Sequence, residues 1–113
     1  MNIVGDVSGK NCLIVDDMCD TGGTICKVAK ALHDAGANEI FACFTHAVLS
    51  GKAVDNITGS HLKKVIVTNT IPVLENGLPL VEGGKIEILS VGNLLASAIK
   101  SIHDETSVSS LFI

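Results

Sequence analysis

Residues 15–24 read Val-Asp-Asp-Met-Cys-Asp-Thr-Gly-Gly-Thr, three carboxylates set around a Thr-Gly-Gly-Thr turn. Carboxylates repel anions, whereas a Gly-Gly turn that opens a helix presents unpaired backbone amides that attract them. The two chemistries coexist if they address different parts of one ligand. The amides around Thr21, Gly22, Gly23 and Thr24 form a cup for a dianionic phosphate, helped by the positive end of the helix dipole by roughly 0.3–1 kcal/mol. Gly22 and Gly23 permit close approach and positive φ, and Thr21 and Thr24 add hydroxyl donors. The adjacent acids Asp16 and Asp17 suit neutral partners, either a cis-diol or the water shell of a magnesium ion. Asp20 is placed to cap the turn. The acids then take a sugar and the turn takes its phosphate. Residue types alone leave one alternative open: an ordinary strand-to-helix loop, with Asp20 or Thr21 as N-cap and the other acids solvated.

These residues need a strand before them and a helix after them, and the sequence supplies both. Residues 11–17 are a short aliphatic run ending in acids, the pattern of a buried parallel strand. Over 24–37, Ile25, Val28, Ala29, Leu32 and Ala35 recur at helical spacing, and Gly36 suits the C-terminal cap. Further strands are predicted at 39–46, 63–70 and 85–91, and helices at 50–59 (Ser50 as cap) and 92–105. Leu94, Leu95, Ala98, Ile99 and Ile102 form the apolar face of the last helix. Residues 73–85 hold Asn-Gly and Gly-Gly pairs and read as a loop, with a hairpin as one form of it. Alternation of this kind predicts an α/β fold with a mostly parallel sheet of about four strands in a single domain over 1–113. Ligands in such folds bind beyond the carboxyl ends of the strands. Asp16, Asp17, Thr45, His46, Thr68, Asn69 and Thr70 all fall there.

Composition narrows the classes. A chain of 113 residues with net charge −4 carries no basic stripe for nucleic acid. Its apolar runs fall short of the ~20 residues a membrane span requires, and residues 1–11 do not resemble a signal peptide. The four cysteines, Cys12, Cys19, Cys26 and Cys43, form no Cys-x-x-Cys pair and read as reduced thiols of a cytoplasmic protein. Cys12 and Cys43 lie in apolar runs and are expected in the core. Cys19, beside a helix N-terminus that can acidify a thiol, is either a reactive group or an inert loop residue. His46, after a strand end, either approaches the site or caps the strand and bonds backbone; His33 and His61 read as surface residues, and His103 complements the dipole of the last helix.

The strand followed by Asp-Asp-x-x-x-Thr-Gly-Gly-Thr resembles the ribose-phosphate loop shared by the phosphoribosyltransferases and the ribose-phosphate pyrophosphokinases. The rest of the chain resembles the second family, phosphoribosyl pyrophosphate synthetase. Residues 2–32, "THAVLSGKAV", "VTNTIP", "ILSVGNLLASAI" and "SVSSLF" follow the family's order and span nearly all of the chain. The resemblance implies a phosphoribosyltransferase-like fold. It also implies that Asp16 and Asp17 face the ribose hydroxyls of ribose 5-phosphate, while Asp20, Thr21, Gly22, Gly23 and Thr24 hold its phosphate. Many family members carry an aliphatic residue where Cys19 stands. "SVSSLF" implicates Ser107 and Ser109 in a regulatory phosphate site between subunits.

The reaction the resemblance implies is transfer of a diphosphoryl group from ATP, with Mg2+, to the 1-hydroxyl of ribose 5-phosphate. Only the carboxy-terminal part of the family is represented. The mobile Lys-Arg loop and the ATP-binding half are not, so the magnesium ligands are expected largely elsewhere and the chain alone is expected to be inactive. An exposed sheet edge and apolar face are expected for the same reason. The family forms dimers and hexamers. Two other readings stand beside this one: a small phosphoribosyltransferase binding phosphoribosyl pyrophosphate, and a non-catalytic partner of a longer synthetase.

Overall fold

The computed structural model describes residues 2–73, 75 and 77–112. Four strands, β1 (Cys12–Cys19), β2 (Ile40–Ala47), β3 (Lys64–Thr68) and β4 (Ile86–Leu89), pair in parallel in sequential order. Helices α1 (Gly23–Asp34), α2 (Ala53–Thr58), α3 (Leu78–Glu82) and α4 (Gly92–His103) follow the successive strands, and a 3-10 turn spans Ser109–Phe112. The expected α/β class and parallel sheet are what the chain forms.

Period-two alternation decides which face is buried. Ile40, Ala42 and Phe44 of β2 point to one side with Val65 and Val67 of β3 and Ile86 of β4, and all are buried. Helices α1 and α2 seal that side with Ile25, Ala29, Ala53 and Ile57. Helix α1 ends as its sequence implies. Gly36 takes φ 92°, and the Ala37 amide donates to the Leu32 carbonyl at 3.0 Å, closing the last turn.

The other side of the sheet is open. Leu13 and Val15 project from edge strand β1, with Val15 72% exposed. The expected exposed edge and apolar face are therefore present. Helix α4 buries none of its residues: Leu94, Leu95, Ile99 and Ile102 are all exposed, Ile99 by 68%. The Cα radius of gyration, 16.5 Å, exceeds the about 13 Å of a close-packed domain of this length, in keeping with a helix that buries nothing.

Three local expectations change. Strand β1 runs to Cys19, so Asp16 and Asp17 lie within it; its pairing with β2 continues to Cys19–Ala47 and keeps the backbone extended. The stretch predicted as a loop or hairpin contains α3, with Pro79 in the first turn, where a missing amide costs nothing, and Leu80 buried as its anchor. Leu74 and Asn76 of that stretch lie outside the described residues. Ser50 does not cap α2; the helix starts at Ala53 after Lys52, and the Ser50 hydroxyl is bonded elsewhere. Cys12 and Cys43 are half-buried. Phe112, at the end of the tail, is exposed.

Candidate functional site

The strand-to-helix turn between β1 and α1 encloses a cavity of about 230 Å³. Asp16, Asp17, Asp20, Thr21, Gly22, Gly23 and Thr24 all line it, together with Met18, Cys19, Ile25 and Phe44. Every residue singled out for the sugar-phosphate reading thus meets in one place. Ser107 and Ser109 do not join them; their hydroxyls bond to each other at 2.9 Å around the 3-10 turn.

No side chain caps α1. Its N-cap is Gly22, in the left-handed conformation at φ 78° and ψ 0°. This departs from both sequence expectations for the cap. The Asp20 carboxylate turns away and accepts from the Ser50 hydroxyl. Thr21 makes only a long contact, its Oγ1 accepting from the Gly23 amide at 3.4 Å. Apart from that long contact, no carboxylate or hydroxyl caps the first turn, and its amides lack intrahelical partners.

Gly22 is favoured by its backbone: its φ is one that side chains rarely adopt, while a Cβ there would make only ordinary contacts, with Ile57 Cγ1 at 3.5 Å and Asn56 Cβ at 3.7 Å. Gly23 is less constrained, since a Cβ there would meet only Thr21 Oγ1 at 3.6 Å. Asp16 and Asp17 are exposed, and Asp16 Oδ1 accepts from the Asp17 amide at 2.8 Å. That bond leaves the remaining lone pairs of both carboxylates available to hydroxyl donors.

Cys19 is not an acidified thiol. It is 3% exposed, and burial, reinforced by Cys26, Asp20 and Asp16, pushes its pKa up to about 11. Desolvation outweighs the dipole of the nearby helix. The inert reading of Cys19 is therefore the one the environment supports. Cys26 is also raised, again by burial first.

The other strand-end residues stitch loops together. His46 Nδ1 lies 2.8 Å from Thr70 Oγ1, and the Thr68 and Thr70 hydroxyls both donate to the Thr45 carbonyl. Asn69 Oδ1 accepts from the Val91 amide at 2.9 Å. None of these lines the cavity. His33 and His61 are at the surface, with their rings stacked 3.9 Å apart.

Among the described residues no three His, Cys, Asp or Glu side chains gather to hold a metal ion. A magnesium ion here would have to keep most of its water or take oxygens from a phosphate ligand. Among the described residues no helix is long and apolar enough to cross a membrane.

Sequence reasoning missed Phe44, Met18 and Ile25 as cavity walls and the contribution of the β2–α2 segment. Phe44 was legible as an inward position of β2, whereas no periodicity singles out a polar residue such as Asn56.

Comparisons with known proteins bear on the family and the fold. The family model described as the phosphoribosyl synthetase-associated domain matches residues 1–113. The chloroplastic ribose-phosphate pyrophosphokinase 1 of Arabidopsis thaliana is 52% identical over 100% of this chain and 27% of its own length. The ribose-phosphate pyrophosphokinase of Vibrio parahaemolyticus is 50% identical over 99% of this chain and 35% of its own. The crystal structure of phosphoribosylpyrophosphate synthetase from Mycobacterium smegmatis superposes with a TM-score of 0.83 at 38% identity, over 90% of this chain and 33% of that one. This chain thus spans about a third of the length of the relatives it matches. Fold and whole-chain similarity agree, and the chain belongs to the family of the phosphoribosyl synthetase-associated domain.

Proposed function

We propose that residues 1–113 form the acceptor-binding portion of a phosphoribosyltransferase-type domain and that the cavity at 16–24 binds ribose 5-phosphate. The observation that carries this reading is the convergence of all seven candidate residues on one cavity. Asp16 and Asp17 accept hydrogen bonds from the ribose hydroxyls. The turn from Asp20 through Thr24 holds the 5-phosphate through backbone amides and the Thr21 and Thr24 hydroxyls. The substrate's 1-hydroxyl then receives a diphosphoryl group from ATP.

Diphosphoryl transfer relies on cations that neutralise the moving group. The cavity lining contains no Lys or Arg. The cavity thus offers the acceptor a seat but not the neutralising cations, and the 113 residues alone are expected to bind the acceptor without turning it over. In the assembled enzyme, a dimer or hexamer in the cytoplasm, Ser107 and Ser109 are this segment's contribution to a regulatory phosphate site.

Calorimetric titration tests the reading. Ribose 5-phosphate should bind with and without magnesium, ribose should bind at least tenfold more weakly, and the doubly substituted Asp16→Ala/Asp17→Ala chain should lose discrimination between ribose 5-phosphate and inorganic phosphate. Equal binding of ribose 5-phosphate by that variant and the parent would contradict it.

A further inference from the structure

Three consecutive carbonyls of the turn are held by one neighbouring segment. The Leu49 amide donates to the Cys19 carbonyl and the Ser50 amide to the Asp20 carbonyl, both at 3.0 Å. Asn56 Nδ2 donates to the Thr21 carbonyl at 2.8 Å. In an extended strand successive amides point to opposite sides, so Leu49 and Ser50 could not serve adjacent carbonyls. Leu49 solves this by taking φ 49°, a left-handed conformation uncommon for a residue with a branched side chain, while remaining buried. Backbone strain of this kind persists where the surroundings enforce it and collects near functional sites.

A trans peptide is planar, with its N–H opposed to its C=O. No described peptide here is cis. Fixing the carbonyls of Cys19, Asp20 and Thr21 toward the 49–56 segment therefore turns the amides of Asp20, Thr21 and Gly22 the opposite way. Asp20, Thr21 and Gly22 line the cavity, whereas Leu49, Ser50 and Asn56 do not. Successive amides converging in a turn of mixed handedness make an anion-binding concavity. Of the three braces, two are backbone amides that any residue supplies. The third is a side chain, and it acts on the peptide that ends in Gly22, the N-cap of α1.

We propose that Asn56 is a positioning residue for the phosphate cup, aiming the Gly22 amide into the cavity by gripping the Thr21 carbonyl from behind. This rests on the ribose 5-phosphate reading above and adds to it the source of the cup's geometry. Asn56 touches no ligand. Without its amide the Thr21–Gly22 peptide is free to rotate, because Gly22 tolerates most φ/ψ values. A phosphate would then have to order that peptide on binding.

The test is Asn56→Asp, which keeps the shape of the side chain but replaces its donor with a carboxylate facing the Thr21 carbonyl. Val65→Ala, a core truncation away from the cavity, controls for lost stability. Ribose 5-phosphate and inorganic phosphate are titrated into the folded chains with 15N-resolved amide spectra as readout. The expected result is a tenfold or greater loss of affinity for both ligands in Asn56→Asp, with the ligand-induced shift of the Gly22 amide lost. Val65→Ala should retain both affinity and shift. Undiminished binding and an unchanged Gly22 shift in Asn56→Asp would overturn the positioning role alone. Failure of the folded parent chain to bind either ligand would overturn the ribose 5-phosphate reading and this inference together.

Discussion

Helices α1 and α4 are both twelve residues long and both carry an apolar stripe, yet they meet opposite fates. Helix α1 sets Ile25 and Ala29 into the core, whereas α4 buries none of its residues. The same contrast divides the two faces of the sheet: Phe44 is 1% exposed on one side, while Val15 stands open on the other. Amphipathic spacing states that an element has a face to bury, but not whether this chain contains the surface that buries it. The candidate turn belongs to the sealed half. Its geometry rests on β1, α1 and the β2–α2 segment, none of which depends on α4.

The largest effect expected from this contrast is in stability. Phe44→Ala should cost about 3–5 kcal/mol in chemical denaturation, as removal of a buried aromatic does. Ile99→Ser on α4 should stay within about 0.5 kcal/mol, the range of exposed sites, and should reduce any self-association seen by sedimentation. A comparable loss in both would mean that α4 packs in solution on a surface it does not touch here.

Next comes the turn itself. Gly22→Val forces a β-branched residue to φ 78° and should abolish ribose 5-phosphate binding while costing about 1–3 kcal/mol. Gly23→Val, where a Cβ meets only ordinary contact, should be milder in both respects, so isothermal titration of the two ranks the glycines. The paired Asp16→Ala/Asp17→Ala change should weaken ribose 5-phosphate binding with little change in thermal midpoint, because both carboxylates are exposed.

The last effect concerns Cys19 and is confined to alkaline pH. Its pKa is raised in the folded chain from 9.0 to about 11, so the unfolded state releases the thiol proton first as pH rises. The stabilising contribution is fully present below pH 9, declines above it and is gone beyond about pH 11. Denaturation midpoints measured across that window should fall less steeply in Cys19→Ala than in the parent. Alkylation of Cys19 at pH 8 should also be slower than that of a free peptide thiol.

Much of this was legible in residue order. The Asp16–Thr24 stretch stood out as a candidate because acids and a Gly-Gly pair meet at a strand-helix junction, a pattern an ordinary capped loop also produces, and the family resemblance rested on separated stretches along the whole chain. Other features were not legible for physical reasons. Asp20 was expected to cap the turn, but its partner Ser50 is thirty residues away and only strand pairing brings it there. Asn56 has no signature, because a single polar residue in a short helix looks solvated until the Thr21 carbonyl is placed opposite it. Helix α3 was hidden by Pro79 and the surrounding glycines, which read as breakers although Pro is well tolerated in a first helical turn.

The central claim is a division of labour within the turn: amides for the phosphate, carboxylates for the sugar. Amide-resolved spectra of the folded chain, titrated first with inorganic phosphate and then with ribose 5-phosphate, test it most directly. The account predicts that phosphate alone moves Thr21, Gly22 and Gly23, and that ribose 5-phosphate moves these and also Asp16 and Asp17. Identical perturbation by the two ligands, or changes confined to other parts of the chain, would contradict it.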